Sequence, residues 1–225
     1  MKQFPEFMIT MTLKIINELS PKDSDVGRPS LYNDEVYIRA MFKRLRTGVQ
    51  WCELESEPHY SCVHKKQKLW TYIGVFNHLW KDSLSFYSKV LGVQWNSLMV
   101  DASYVKNVRG CDLIGRNPTD RGRNSSKISA LTDKRGVPLS VVFDCGNVHD
   151  SKLFQRTLDN IAIRKRKDKR RKKNMYVDKG YSGVNCADQI KEFGYDIIIP
   201  EKKKKGNQDR NLHHRVEKII AYDHE

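Results

Sequence analysis

Two short apolar runs each end on an aspartate, Leu98-Met99-Val100-Asp101 and Met175-Tyr176-Val177-Asp178. A carboxylate joined to a buried run costs free energy unless a partner compensates its charge. Two such placements therefore call for a fold that gathers the strand ends around a shared cation, and the usual one is a divalent metal. A third acid, Glu217, lies in the helix-like stretch Arg215-Val216-Glu217-Lys218-Ile219-Ile220. Asp101, Asp178 and Glu217 form the candidate constellation. Asp112, Asp120, Asp133, Asp144, Asp150 and Glu201 are rival acids that spacing alone leaves open.

The setting of these acids is strongly basic. The 225 residues carry 41 Lys and Arg against 27 Asp and Glu, a formal net charge of +14. Three gathered acids in such a chain imply chemistry on a polyanion, with nucleic acid ahead of an anionic membrane surface. No apolar run approaches the roughly 20 residues of a membrane span, and Lys14 interrupts the only N-terminal run that a signal peptide would need. The five cysteines contain no Cys-x-x-Cys pair and read as reduced thiols of an intracellular protein, in the cytoplasm or nucleoid if the host is bacterial. His59, Cys62 and His64 lie close together but lack the second ligand pair of a zinc site.

The pattern divides the chain into a lead segment (1–25), a helical module (26–95) and a mixed α/β region (96–225). A short helix is expected at 9–19. Val36, Ala40, Met41, Phe42 and Leu45 recur on one face of a second helix, beside Arg39, Lys43, Arg44 and Arg46. Ser61 is the expected cap of a third, carrying Val63, Leu69, Trp70 and Ile73 among His64, Lys65, Lys66 and Lys68. A fourth is expected at 77–91. Strands are expected at 98–100, 127–131, 139–143, 175–177 and 196–199, and helices at 150–163, 184–193 and 211–222. Asp133-Lys134-Arg135-Gly136 suits the loop of a hairpin. Hairpin strands come first and crossover units after, which gives an α/β (α+β) fold with a mixed sheet and flanking helices.

Residues 164–173 hold nine bases and one acid, including Lys165, Arg166, Arg170 and Arg171. Such a run is commonly a solvated connection. This one leads directly into the strand ending at Asp178, and 202–205, with Lys203 and Lys204, precedes Glu217 in the same way. Both basic segments are expected to touch phosphates. Phosphodiester cleavage needs an activated oxygen nucleophile and a stabilised leaving oxygen, which two metal ions about 3.5–4 Å apart can provide. Three carboxylates from separate elements can hold two magnesium ions, or manganese in their place.

Several motifs, in order, resemble those of DDE transposases from compact bacterial insertion sequences. Val100-Asp101-Ala102-Ser103 resembles the first acidic motif, and Arg121-Gly122-Arg123-Asn124-Ser125-Ser126-Lys127-Ile128 the basic turn and second strand. Gly146-Asn147-Val148-His149-Asp150-Ser151 resembles the entry to the first helix. Val177-Asp178-Lys179-Gly180-Tyr181 and Arg215-Val216-Glu217-Lys218 resemble the second and third acidic motifs. Arg46-Thr47-Gly48-Val49-Gln50-Trp51 is similar to part of the family's N-terminal helical module.

The resemblance covers about 27–222. It implies an RNase H-like catalytic domain with Asp101, Asp178 and Glu217 as metal ligands, and Arg123 and Lys127 as phosphate contacts near them. Tyr181 would pack beside substrate or close the core, and Asp150 would cap its helix. It further implies hydrolysis at the element's terminal inverted repeats, attack of the freed 3′-hydroxyl on target DNA, and a homo-oligomer assembled on DNA. In family members the last glutamate's helix continues into a basic stretch, whereas this sequence stops at Glu225. On that reading the catalytic domain is incomplete and this chain cleaves weakly. The alternatives are a non-catalytic DNA-binding relic or regulator, and a simple metal-dependent nuclease of the same fold.

Overall fold

The computed structural model describes residues 6–20, 30–56, 58–106, 112–163, 173–181 and 184–199. Glu217, the helix expected at 211–222, Lys165, Arg166, Arg170, Arg171, Lys203 and Lys204 lie outside the described residues.

Four helices come first: α1 (Glu6–Leu19), α2 (Asp34–Thr47), α3 (Tyr60–Tyr72) and α4 (Val75–Val90). Asn33 caps α2, its side chain accepting from the Val36 N–H at 3.1 Å, which satisfies one of the helix's free donors. Gly48 ends it in the left-handed region, φ 70°, and its N–H donates to the Arg44 carbonyl. The inward face of α2 carries Tyr37, Ile38, Ala40, Met41 and Phe42, while Leu45 and Val36 are not buried. These side chains pack with Ile9, Ile15 and Ile16 of α1, Val63 and Trp70 of α3, and Val75 and Leu79 of α4. The expected lead segment thus supplies part of this cluster. His59, not Ser61, caps α3 through its imidazole.

Six strands follow: β1 (Ser97–Lys106), β2 (Gly115–Arg116), β3 (Asn124–Asp133), β4 (Pro138–Cys145), β5 (Asn174–Val177) and β6 (Asp196–Ile198). They form one mixed sheet in the order β2-β3-β1-β5-β6, with β4 also paired to β3. β1, β3 and β4 run antiparallel in sequence; β5 pairs parallel to β1, and β6 parallel to β5. Helices α5 (Asp150–Asp159) and α6 (Val184–Glu192) make the crossovers. The hairpin-then-crossover order of the sequence is realised as one mixed sheet with flanking helices. The two-residue β2 was not anticipated. No helix among the described residues is long and apolar enough to cross a membrane.

Leu98 and Val100, Leu131, Leu139, and Met175 and Val177 lie in a second cluster with Phe154 and Leu158 of α5 and Ile190 of α6. Six of these, Leu98, Leu131, Leu139, Phe154, Met175 and Ile190, are fully buried; a side chain of that kind contributes about 1.5–3 kcal/mol. Leu84 of α4 belongs to this second cluster, so one helix serves both. Side chains alternate across a strand, which turns Met99, Tyr176 and the two aspartates away from that core to the opposite, open face. Met99, Phe143, Tyr176 and Ile198 remain exposed.

A second tie between the two parts runs through Asp133, which is fully buried. Its carboxylate accepts from the backbone N–H groups of Arg135 (2.9 Å), Val137 (3.1 Å) and Gln94 (3.2 Å) and from the Tyr87 hydroxyl (3.4 Å). This rival acid therefore shapes the β3–β4 hairpin and holds it to the end of α4.

Candidate active site

The parallel register of β1 and β5 aligns Leu98 with Met175, Met99 with Tyr176 and Val100 with Val177. One residue beyond the last pair come Asp101, within β1, and Asp178, just past β5, carried by neighbouring strands that run about 4.8 Å apart. Both are exposed. Asp101 is still in β1, opposite Ala130 of β3, and its Oδ1 accepts from the Ala102 N–H at 2.8 Å. Among the described residues no lysine or arginine forms a salt bridge with it. Asp178 directly follows β5, and its carbonyl accepts from the Tyr181 N–H at 3.0 Å, closing the short 3-10 turn Lys179–Tyr181.

Paired, solvent-facing carboxylate oxygens match what a hard divalent cation requires. The described residues hold no group of three His, Cys, Asp or Glu side chains around one point. His59 Nδ1 hydrogen-bonds with Ser61 Oγ and the His64 ring lies 4.9 Å from that of Trp51; with Cys62 they form no metal-binding group among the described residues.

Behind this edge, on the buried side of the sheet, lies a polar network. Lys127 pairs with Tyr104, not with Asp101, in the β1–β3 register; the strand alternation sends its side chain to the face opposite Asp101. It is 2% exposed. Its Nζ donates to Asp150 Oδ1 at 2.7 Å and to the Val148 carbonyl at 2.5 Å, and sits 4.6 Å over the Tyr104 ring. Lys127 is thus a buried cation paired within the fold, where the sequence reading expects a phosphate contact near the acids. Burial lowers its pKa, but the hydrogen bonds and charge of Asp150, with Tyr104, outweigh that and leave it raised.

Asp150 is not the helix cap either. His149 takes that role, its Nδ1 accepting from the Ser151 N–H at 3.3 Å. Asp150 instead pairs with Lys127 and lies close to the turn after Asp178, where a Cβ placed on Gly180 would come 3.1 Å from Asp150 Oδ2. Tyr181 is 1% exposed and packs on Phe154 at 5.6 Å, which closes the core. Burial first, then the negative charges of Asp150 and Asp101, push its hydroxyl pKa well up. Gly146, before this motif, is required by contact: a Cβ there would collide with Ser125 Oγ and the Ser125 carbonyl. Asp150 was marked by Gly146-Asn147-Val148-His149-Asp150-Ser151 and Lys127 by Arg121-Gly122-Arg123-Asn124-Ser125-Ser126-Lys127-Ile128, signals visible as motifs but not as a geometry.

Arg123 stays on the surface. It closes the 117–123 loop, where Asn117, 4% exposed, donates its N–H to the Arg123 carbonyl and accepts Thr119 N–H on its side chain. Its guanidinium approaches Asp120 at 3.8 Å and remains open to solvent.

The Transposase DDE domain family matches residues 98–224, from the start of β1 past Glu217. The chain belongs to this family. A protein assigned as the transposase of insertion sequence element IS402 from Burkholderia cepacia is 30% identical over 92 residues. That match takes in 40% of this chain and 44% of the relative, so the chain spans less than half of that protein. A piggyBac transposase in a synaptic complex with hairpin DNA has TM-score 0.49 at 13% identity, covering 90% of this chain and 50% of that one. The catalytic domain of the Mos1 mariner transposase has TM-score 0.35 at 12% identity, covering 65% of this chain and 69% of that one. Within the DDE family match, Asp101 and Asp178 are the acids that the sheet sets side by side.

Proposed function

We propose that this chain is a DDE transposase that cuts DNA at the ends of its element and joins them to target DNA. The observation that carries the reading is the parallel pairing of Val100 with Val177, which leaves Asp101 and Asp178 adjacent on an open sheet face. Asp101, Asp178 and Glu217 would hold two Mg2+ or Mn2+ ions. Bound there, the ions supply an activated oxygen nucleophile and stabilise the departing 3′-oxygen.

The rest of the work falls to the protein. β1 and β5 fix the spacing of two carboxylates on a rigid ladder. The Lys127–Asp150 pair braces the turn after Asp178, so the second carboxylate leaves the sheet at a set angle. Arg123 meets the DNA backbone near the site, and the basic segments 164–173 and 202–205 extend that track with Lys165, Arg166, Arg170, Arg171, Lys203 and Lys204. The helical module of 26–95 binds the terminal inverted repeats as duplex DNA, and two or more copies assemble on the ends. The 96–225 region performs the chemistry.

The test is magnesium-dependent nicking and strand transfer on a duplex carrying the terminal repeat. Wild-type chain should cut at the element boundary. Asp101→Asn and Asp178→Asn should each abolish cutting while binding the duplex as tightly as wild type. An Asp101→Asn chain that cuts at the wild-type rate would remove the assignment. Tight binding with no cutting in any divalent ion would favour a non-catalytic regulator, and cutting without strand transfer a plain nuclease.

A further inference from the structure

A cleft of about 540 Å3 lies on the helical module between the end of α2 and the outer face of α3, far in sequence from the aspartates. Arg44, Trp51, His64, Lys68 and Tyr72 line it, and none of its lining residues is a carboxylate. Arg44 holds its guanidinium 4.2 Å above the Trp51 ring, and the His64 ring lies 4.9 Å from the same indole. A stacked guanidinium is fixed in plane while its edge donors stay free; the buried Arg44 Nε has no hydrogen-bond partner among the described residues. His64, Lys68 and Tyr72 follow at helical spacing along one face of α3.

Tyr72 is the unusual member. It is the last residue of α3 and is 90% exposed, so its ring adds almost nothing to the fold. A single exposed aromatic needs no explanation. This one borders a carboxylate-free cleft with one cation stacked on Trp51 and a second, Lys68, exposed on α3, which is the combination that grips a nucleotide: a π-face for the base and cations for the phosphate beside it.

We propose that this cleft binds an unpaired nucleotide of a DNA strand, with the base stacked on Tyr72 and its phosphate held by Arg44 and Lys68. The inference rests on the reading of the helical module as the DNA-binding part. It adds that the module senses strand separation at a DNA end, as well as duplex charge. Trp51 does not stack the base; its role is to hold Arg44.

Fluorescence anisotropy of the full chain without divalent ions tests this, so that cleavage plays no part. The probes are a blunt duplex and the same duplex with a short single-stranded overhang. Wild type should favour the overhang by about tenfold, the scale of one base–aromatic stack. Tyr72→Ala should bring the two probes to equal affinity with the blunt value unchanged, and Tyr72→Phe should keep the preference. Arg44→Lys should weaken overhang binding more than blunt binding. No preference in wild type, or a preference that survives Tyr72→Ala, would overturn the proposal. Failure of the nicking assay would leave these comparisons standing, so the two readings fail separately.

Discussion

Lys127 carries its charge at 2% exposure, shared between Asp150 and the Val148 carbonyl. Charge-assisted hydrogen bonds inside a fold are worth more than surface pairs, and the Asp150 side chain, 30% exposed, retains some access to water when its partner is removed. Lys127→Met is therefore expected to destabilise the protein by about 2–3 kcal/mol, read as a lower urea midpoint. The pH dependence follows from the raised lysine pKa. A group whose folded pKa exceeds its unfolded one stabilises fully below the unfolded value and loses that contribution as pH rises through the folded value. The gap between wild type and Lys127→Met should hold from neutral pH to about the ordinary lysine value of 10.5 and shrink above it. Asp133→Asn has a different cause. Four donors converge on that carboxylate, and an amide would turn an NH2 towards some of them. A loss of about 2 kcal/mol, with a lower thermal midpoint, is expected.

β3 inverts the usual alternation. Its buried positions are Ser125, Lys127, Ser129, Leu131 and Asp133, while Ile128, Ala130 and Thr132 stand on the other face. A pattern reading would turn Ile128 inward. The polar residues go in because most find partners there: Lys127 with Asp150, Ser129 Oγ with Thr157 Oγ1 at 2.8 Å, and Asp133 with its four donors. A buried polar group is tolerated when it is bonded, and one such network fixes register, since a slip of one residue would expose it all. Helix ends were easier to read in kind than in detail. Both α3 and α5 are capped by a histidine ring two residues before a serine, His59 with Ser61 and His149 with Ser151, a use of imidazole that the usual cap residues do not suggest. At the end of α2, Gly48 occupies φ 70° with open space where a Cβ would stand. Gly48→Ala should cost about 1 kcal/mol through backbone strain alone, measurable as a shift in the unfolding midpoint without change in slope.

Most of the net charge of +14 falls in 96–225, which holds 28 Lys and Arg against 17 Asp and Glu, with the two candidate ligands Asp101 and Asp178 exposed there. A polyanion would be held by the surrounding cations and meet the acids only with metal between them. If about six phosphates are neutralised, log K should fall with log salt at a slope near −5. Titration of duplex binding at several salt concentrations measures it, and salt-independent binding would contradict the picture. Neutralising 164–173 should weaken all sequences alike, whereas changes in the helical module should separate terminal repeats from other DNA. The two parts are joined through α4, whose Leu79 and Leu84 sit in different clusters, and through Asp133. That joint gives the module a defined position over the sheet.

The sequence by itself determined the succession of hairpins and crossovers, because hydrophobic period and turn residues act over a few neighbours. It also singled out Asp101 and Asp178, since an aspartate closing an apolar run is conspicuous in one dimension. Only the tertiary structure decided which charges face water. Lys127 and Arg123 belong to one basic motif, yet the β1–β3 register buries the first behind the sheet and leaves the second on a loop. Asp133 and Asp150 looked like Asp101 in the sequence. Their donors come from Gln94 and Tyr87 in one case and Lys127 in the other, contacts between residues remote in the chain that no local pattern encodes.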